Sequence, residues 1–237
     1  LFKKFCLANN ISTPKGFICK KEIKKNNLKD LNFPIVVKPT NLSGGRGVDI
    51  VNNHKELMQS LKNAYNFSDE LVAEEFIKGK LISYSVFLKN QKIIYAFSAE
   101  DKSFINKYLI TTAYPISLSK TVEKKIVKDV QKLANLLKLV DGMFHLQIII
   151  KNNFPYIIDV TRRIPGDLYP YLIEYCDSVE YSKAVVNSFI GKPLKNEFDM
   201  LKKQKFIIRH CVMSEKNGII KGIKVDKSLE KNIIYRI

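Results

Sequence analysis

No run of apolar residues in this 237-residue chain approaches the roughly 20 needed to cross a bilayer; the longest candidates, such as Phe144 to Ile150, have the length of a strand. A membrane protein built on spanning helices is therefore not expected. The opening Leu1-Phe2-Lys3-Lys4-Phe5 lacks the charged, then apolar, then small-residue order of a signal peptide. The four cysteines, Cys6, Cys19, Cys176 and Cys211, show no CxxC spacing and read as reduced thiols of a cytoplasmic protein. No repeat, linker or low-complexity stretch interrupts the chain. Its hydrophobic content of 46% suits a globular fold of one large or two small domains.

Acidic residues are few beside basic ones, 23 against 40, leaving a net charge of +17. Such a balance invites a nucleic-acid reading. We set that reading aside, because the lysines are scattered along helices and turns without an aromatic-interleaved basic stripe. Arginine is the scarce cation: only Arg46, Arg162, Arg163, Arg209 and Arg236 occur. Three of them fall inside motifs described below. A chain that uses lysine almost everywhere else places arginine where planar, two-pronged contacts to phosphate or carboxylate would matter.

The hydrophobic pattern predicts helices over 1–10, 54–65, 119–137 and 180–190. The clearest is the third, where Val122, Ile126, Val130, Leu133 and Leu137 form one stripe. Strands are expected at 33–38, 48–51, 71–77, 82–88, 92–98, 144–150, 156–160, 206–213 and 218–225. Adjacent hairpins mixed with helices favour an α+β fold over a doubly wound sheet.

Three segments carry chemistry. The first is Lys38 followed by Ser43-Gly44-Gly45-Arg46-Gly47. A loop with so little side chain lets backbone N–H groups wrap an anion, and a lysine at the end of the preceding strand adds a point charge. The loop is neither GxxxxGK[ST] nor a strand-to-helix GxGxxG. On these residues alone, a plain glycine-rich hairpin turn explains it as well. The second is Leu71-Val72-Ala73-Glu74-Glu75-Phe76-Ile77, where two acids in an apolar strand are costly unless used. A strand edge could offer a purine an acceptor and a donor from its backbone, although simple alternation placing one glutamate outward accounts for the pair. The third joins His145-Leu146-Gln147 to Asp159-Val160-Thr161-Arg162-Arg163 across one hairpin. Oxygen ligands on neighbouring strands can hold magnesium against phosphates, and arginines just beyond supply positive charge for a transferring phosphoryl group. An ordinary polar hairpin explains the terminal acid and double arginine poorly.

Taken together, in this order and spacing, the three segments resemble the ATP-grasp superfamily over roughly residues 1–195. Pro34-Ile35-Val36-Val37-Lys38-Pro39 with the glycine loop looks like its lysine strand and flexible phosphate loop. Val72 to Ile77 looks like its adenine-binding hinge, and the 145–163 hairpin like its metal-binding hairpin. The resemblance implies two α+β subdomains gripping ATP. They would divide as 1–75, with the phosphate-loop lid over 15–75, and 76–195, with the metal hairpin. Residues 196–237 would begin a small β-rich C-terminal domain. It implies an ATP- and Mg2+-dependent carboxylate–amine ligase, similar to the carbamoyl-phosphate synthase large chain, that activates an acid as an acylphosphate.

Carried over by position, Lys38 contacts the phosphates and Ser43, Gly44, Gly45, Arg46 and Gly47 cover them. Glu74, Glu75, Phe76 and Ile77 hold adenine. Gln147 and Asp159 bind magnesium, and Arg163 faces the reacting phosphate; strand alternation puts Asp159, Thr161 and Arg163 on one face and turns Arg162 away. The implied partners are a small-molecule carboxylate and an amine, without nucleic acid or membrane; a homodimer is a possible assembly. Gln147 stands where glutamate is usual, Thr161 where asparagine is usual, and Leu81 where many members have a ribose-binding glutamate. A second ATP-contacting lysine is expected upstream of Leu1, so the chain reads as part of a longer ligase. The alternative is a nucleotide-binding fragment or regulatory module without ligase activity.

Overall fold

The computed structural model describes residues 2–21, 28, 30–42, 44–105, 108–166, 168–194, 197–199, 205–219 and 221–235. Two antiparallel sheets dominate it. The first has four strands: β1 (Gly16–Lys20), β2 (Ile35–Pro39), β3 (Asp49–Val51) and β4 (Glu70–Glu75), in the spatial order β1-β4-β2-β3. The second has six: β5 (Lys80–Lys89), β6 (Lys92–Lys102), β7 (Thr112–Pro115), β8 (Gly142–Lys151), β9 (Phe154–Thr161) and β10 (Arg209–His210), in the order β10-β7-β6-β5-β8-β9. The mixed, hairpin-rich α+β architecture agrees with the sequence pattern. Among the described residues no helix is long and apolar enough to cross a membrane.

Each sheet buries one face under helices. Helix α2 (His54–Ala64) opens at Asn53, whose side chain accepts the Glu56 N–H while the Glu56 carboxylate reaches back to Asn52 and Asn53. Its Leu57, Leu61 and Ala64 close over Ile35, Val37, Val51, Leu71 and Ala73. Helix α3 (Lys120–Leu136), capped by Ser119, lays Val122, Ile126, Val130 and Leu133 on Ile82, Tyr84, Val86, Leu146 and Ile148. Helix α1 (Phe2–Ala8) joins this second core: Cys6 and Ile11 are buried in it, and the Ser12 N–H donates to Asp129 on α3. The other face of the second sheet packs on α4 (Tyr169–Asp177) and α5 (Tyr181–Phe189) through Phe87, Phe97, Met143 and Ile173.

Several elements depart from the sequence expectation. Strand β1, β7 and α4 lie where no regular element is expected, because each is short and takes its order from neighbours already in place. Strand β6 runs to Lys102 rather than stopping at residue 98, since β7 pairs with its last four residues. Strand β9 ends at Thr161, short of Arg163. Among the described residues of the strands expected at 206–213 and 218–225, only Arg209–His210 forms a ladder, with β7. The apolar side chains around it, Phe206, Ile208, Val212, Ile219 and Ile223, are exposed. An alternating pattern makes a strand only where a ladder and a buried face meet it.

Ile126 is fully buried at the centre of α3's contact with the second sheet. Ile126→Ala should lower the unfolding free energy by about 2–5 kcal/mol, measured as a shift of the urea midpoint at unchanged slope.

Candidate functional site

A cavity of about 830 Å3 lies between the two sheets, and residues from all three chemical segments line it. Its first wall is the β2–β3 loop. Gly44, Gly45 and Gly47 all have positive φ, 66°, 72° and 72°. A side chain on Gly45 would run into Tyr108, which stands on the β6–β7 connection of the other sheet. The loop therefore crosses the mouth of the cavity and needs glycine to do so. Arg46 also lines the cavity. Ser43 lies outside the described residues.

The back of the cavity holds a buried ion triad. The Glu74 carboxylate receives Lys38 Nζ at 2.7 Å and Lys3 Nζ at 2.5 Å. Lys3 spends its remaining donors on Thr13 Oγ1 at 2.7 Å and the Pro14 carbonyl at 2.8 Å. Burial pulls the Lys3 ammonium below the ordinary lysine range, and the Glu74 charge opposes that pull. Gly16 sits opposite Glu74 in the β1–β4 register, and a side chain there would strike the Glu74 Cβ. Lys38 also reaches the Ile158 carbonyl of the second sheet at 3.5 Å. Sequence reasoning missed Lys3. The signal for it was the unmatched acid pair on β4, which needs a cation from elsewhere.

The hinge differs in detail from expectation. Strand β4 is not an edge: it pairs with β1 on one side and β2 on the other. The Glu75 N–H goes to the Lys15 carbonyl and the Phe76 N–H to Pro34. The Glu75 side chain accepts from Asn32 twice, at 3.0 and 2.9 Å. Ile77, also in the cavity wall, lies past the last ladder pair, Ile35–Glu75. Among the described residues, the backbone that β1 and β2 leave outside their ladders with β4 is thus the stretch after Glu75. Leu81 offers the cavity no carboxylate.

The second sheet supplies the floor. Gln147 on β8 stands directly across from Asp159 on β9, and His145 across from Thr161. A bulge between Gln147 and Ile148 leaves Ile158 without a partner, so that Ile157 can face the core while Asp159 opens to the cavity. Desolvation raises the Asp159 carboxyl above its usual range, against the opposing pull of Lys38 and Arg163. His145 is buried; its Nδ1 meets Ser85 Oγ at 2.7 Å. Burial, seconded by Arg163, lowers it to about 4.

Arg162 and Arg163 part company beyond the strand end. Arg162 donates to the carbonyls of Val140, Asp141 and Gly142, whereas Arg163 lines the cavity. With the strand ending at Thr161, this division comes from the bend at 162–163 rather than from strand alternation.

No group of three or more His, Cys, Asp or Glu among the described residues could hold a metal. Gln147 and Asp159 bring one amide and one carboxylate. That donor set suits a divalent cation most of whose ligands come from nucleotide phosphates and water. A phosphate lying between the glycine loop and Lys38 would meet that need.

The sequence matches the family described as ATP-grasp domain over residues 2–167. It is 30% identical over 172 residues to the D-alanine–D-alanine ligase of Helicobacter pylori strain J99, covering 67% of this chain and 48% of that protein. It is 28% identical over 168 residues to the carbamoyl phosphate synthase large chain of Clostridium botulinum strain Loch Maree, covering 68% and 16%. Among solved structures it superposes on Bacillus anthracis D-alanine–D-alanine ligase complexed with ATP. There the TM-score is 0.64 at 24% identity, covering 80% of this chain and 64% of that one, which is a likeness of fold. The chain spans about half the length of the Helicobacter ligase.

The triad separates stability from ligand binding. Lys3→Met leaves Glu74 with Lys38 alone and strands the Thr13 and Pro14 acceptors, and should cost about 1–3 kcal/mol of stability in urea unfolding. Lys38→Ala leaves Glu74 paired with Lys3. It should unfold near the wild-type midpoint and lose about 1.5–3 kcal/mol of ATP affinity by calorimetry.

Proposed function

The chain belongs to the ATP-grasp family, and on that premise we propose that it works as an ATP- and magnesium-dependent ligase joining a small-molecule carboxylate to an amine. The observation that carries this reading is convergence. The glycine loop and Lys38 of one sheet face Gln147, Asp159 and Arg163 of the other across a single cavity. A binding module would need the loop and the hinge, but not a cation-ready hairpin with an arginine held over it.

In this reading the β2–β3 loop covers the phosphates with its N–H groups, and Lys38 sits beside them. Adenine lies against the Glu74–Ile77 segment, where Ile77 offers backbone and the buried Glu74 is fixed by its two lysines. Gln147 and Asp159 hold magnesium, which supplies charge neutralisation to the phosphates when bound. A carboxylate oxygen of the acid attacks the γ-phosphorus and ADP leaves. The amine nitrogen then attacks the acyl carbon, losing a proton, and phosphate departs. Arg163 stabilises charge on the phosphoryl oxygens during both displacements. Thr161 lines the same wall and takes the place of a second metal-side amide.

We assign the grip to two subdomains meeting near residues 75–76, with α1 packed on the second. In the stretch expected to open a β-rich domain at 196–237, the strand among the described residues is Arg209–His210, and it belongs to the second sheet. We place the protein in the cytoplasm, in keeping with Cys6, Cys19, Cys176 and Cys211, which form no disulfide among the described residues.

Phosphate release, assayed over a panel of acids and amines with MgATP, tests the reading. Release that needs both an acid and an amine supports it, and nucleotide binding without any acid-dependent release overturns it. In such an assay Arg163→Ala should lose about a hundredfold to a thousandfold in kcat. Arg163→Lys should not recover it, because an ammonium lacks the planar fork. Arg162→Ala should instead act on stability. Asp159→Asn should abolish turnover while leaving most of the ADP affinity, and magnesium should bind the free protein too weakly for calorimetry to detect.

A further inference from the structure

The strand register of the second sheet lines up more than the metal hairpin. Asp159 on β9 pairs with Gln147 on β8, and Gln147 pairs with Ser83 on β5. The Ser83 hydroxyl donates to Asp101 Oδ2 on β6 at 2.5 Å. Asp101 pairs with Ala113 on β7, and Ala113 with Arg209 on β10. All of these except Ala113 line the cavity. A polar track thus crosses the sheet, stepping diagonally at β6, where Ala99 stands opposite Ser83, and Asp101 lies two strands from Gln147, on the order of 10 Å away.

Asp101 is 4% exposed and its Oδ1 has no hydrogen-bond partner among the described residues. Tyr169, 3% exposed at the start of α4 beside His145, brings its hydroxyl to the same Ser83. A buried carboxylate oxygen left open on the wall of a cavity, with a phenol beside it, is an acceptor awaiting an N–H donor. The charge on Arg209, two strands along and separated only by an alanine, helps keep the carboxyl ionised, although burial still pushes it up to about 6.

Resting on the ligase reading above, we propose that Asp101, with Tyr169 beside it, is the docking site for the amino group of the nucleophile. The spacing supports this role. Phosphate sits at β8–β9, the acyl group over Ser83, and the amine arrives from the β6 side. Gly79 to Leu81 and the β6–β7 connection border that approach. The amine binds as an ammonium on the Asp101 carboxylate. Passing one proton to it leaves the neutral amine lone pair facing the acyl carbon, with the second N–H proton lost as phosphate leaves.

Saturation-transfer NMR can test this on the whole chain, using ethylamine hydrochloride and each of the standard amino acids as probes, with and without MgADP. The wild type should bind at least one of these amines. Asp101→Asn should weaken that binding by about tenfold to a hundredfold, the scale of a charged hydrogen bond, with ADP affinity unchanged. Tyr169→Phe removes one oxygen and leaves the Ser83–Asp101 bond in place, so it should fold normally and weaken the same amine by roughly threefold to tenfold. If no amine binds the wild type, or if both variants bind as it does, the docking site is wrong. Loss of ADP binding by the wild type would instead defeat the ligase reading, since the amine measurement is also made without nucleotide.

Discussion

The site depends on a carboxylate shared by two lysines. Glu74 is buried, and such a charge persists only with compensation close by. Lys3 brings that compensation from α1, packed on the second core, and Lys38 brings it from β2 of the first sheet. Because Lys38 also touches the Ile158 carbonyl, the same few ångströms tie both sheets and the chain's first helix. Gly16 gives the carboxylate its room. The cavity between the sheets keeps its shape at this point, and the loop and hairpin are arranged about it.

Much of the fold was legible because its larger elements carry their own periodicity. Helix α3 and the hairpin β8–β9 stand where their apolar spacing put them, since each buries a full stripe or face. The glycine loop and the Gln147–Asp159 pair were legible for a different reason: unusual residues in an apolar context. Elements such as β1 and β7 were not, because a strand of four or five residues owes its existence to a neighbouring ladder that no local pattern announces. The tail shows the converse. Its alternation at 206–213 is real, yet among the described residues only two join a ladder.

Within the site, residue type was easier to read than direction. The acids on β4 stood out, but not that Glu74 would turn to Lys3 and Glu75 to Asn32. Arg163 was singled out by strand alternation, while its placement follows from a bend after Thr161 and from the carbonyls that capture Arg162. Asp101 offered the same signal as Glu74, an acid closing an apolar strand, but with the strand expected to stop at residue 98 it fell outside the pattern.

The polar row across the second sheet has a further consequence for how such a protein can change. Spacing across a sheet comes in whole strands of about 4.8 Å, so the interval between Asp159, Gln147 and Ser83 cannot be adjusted by small degrees. A substitution can alter which group stands at a station, but not where the station is. The glycine loop opposite has no such lattice, and its reach can vary continuously with length and composition. Divergence toward larger or smaller ligands would therefore be absorbed by the loop wall, while the floor stays as a fixed scale for the groups that line it.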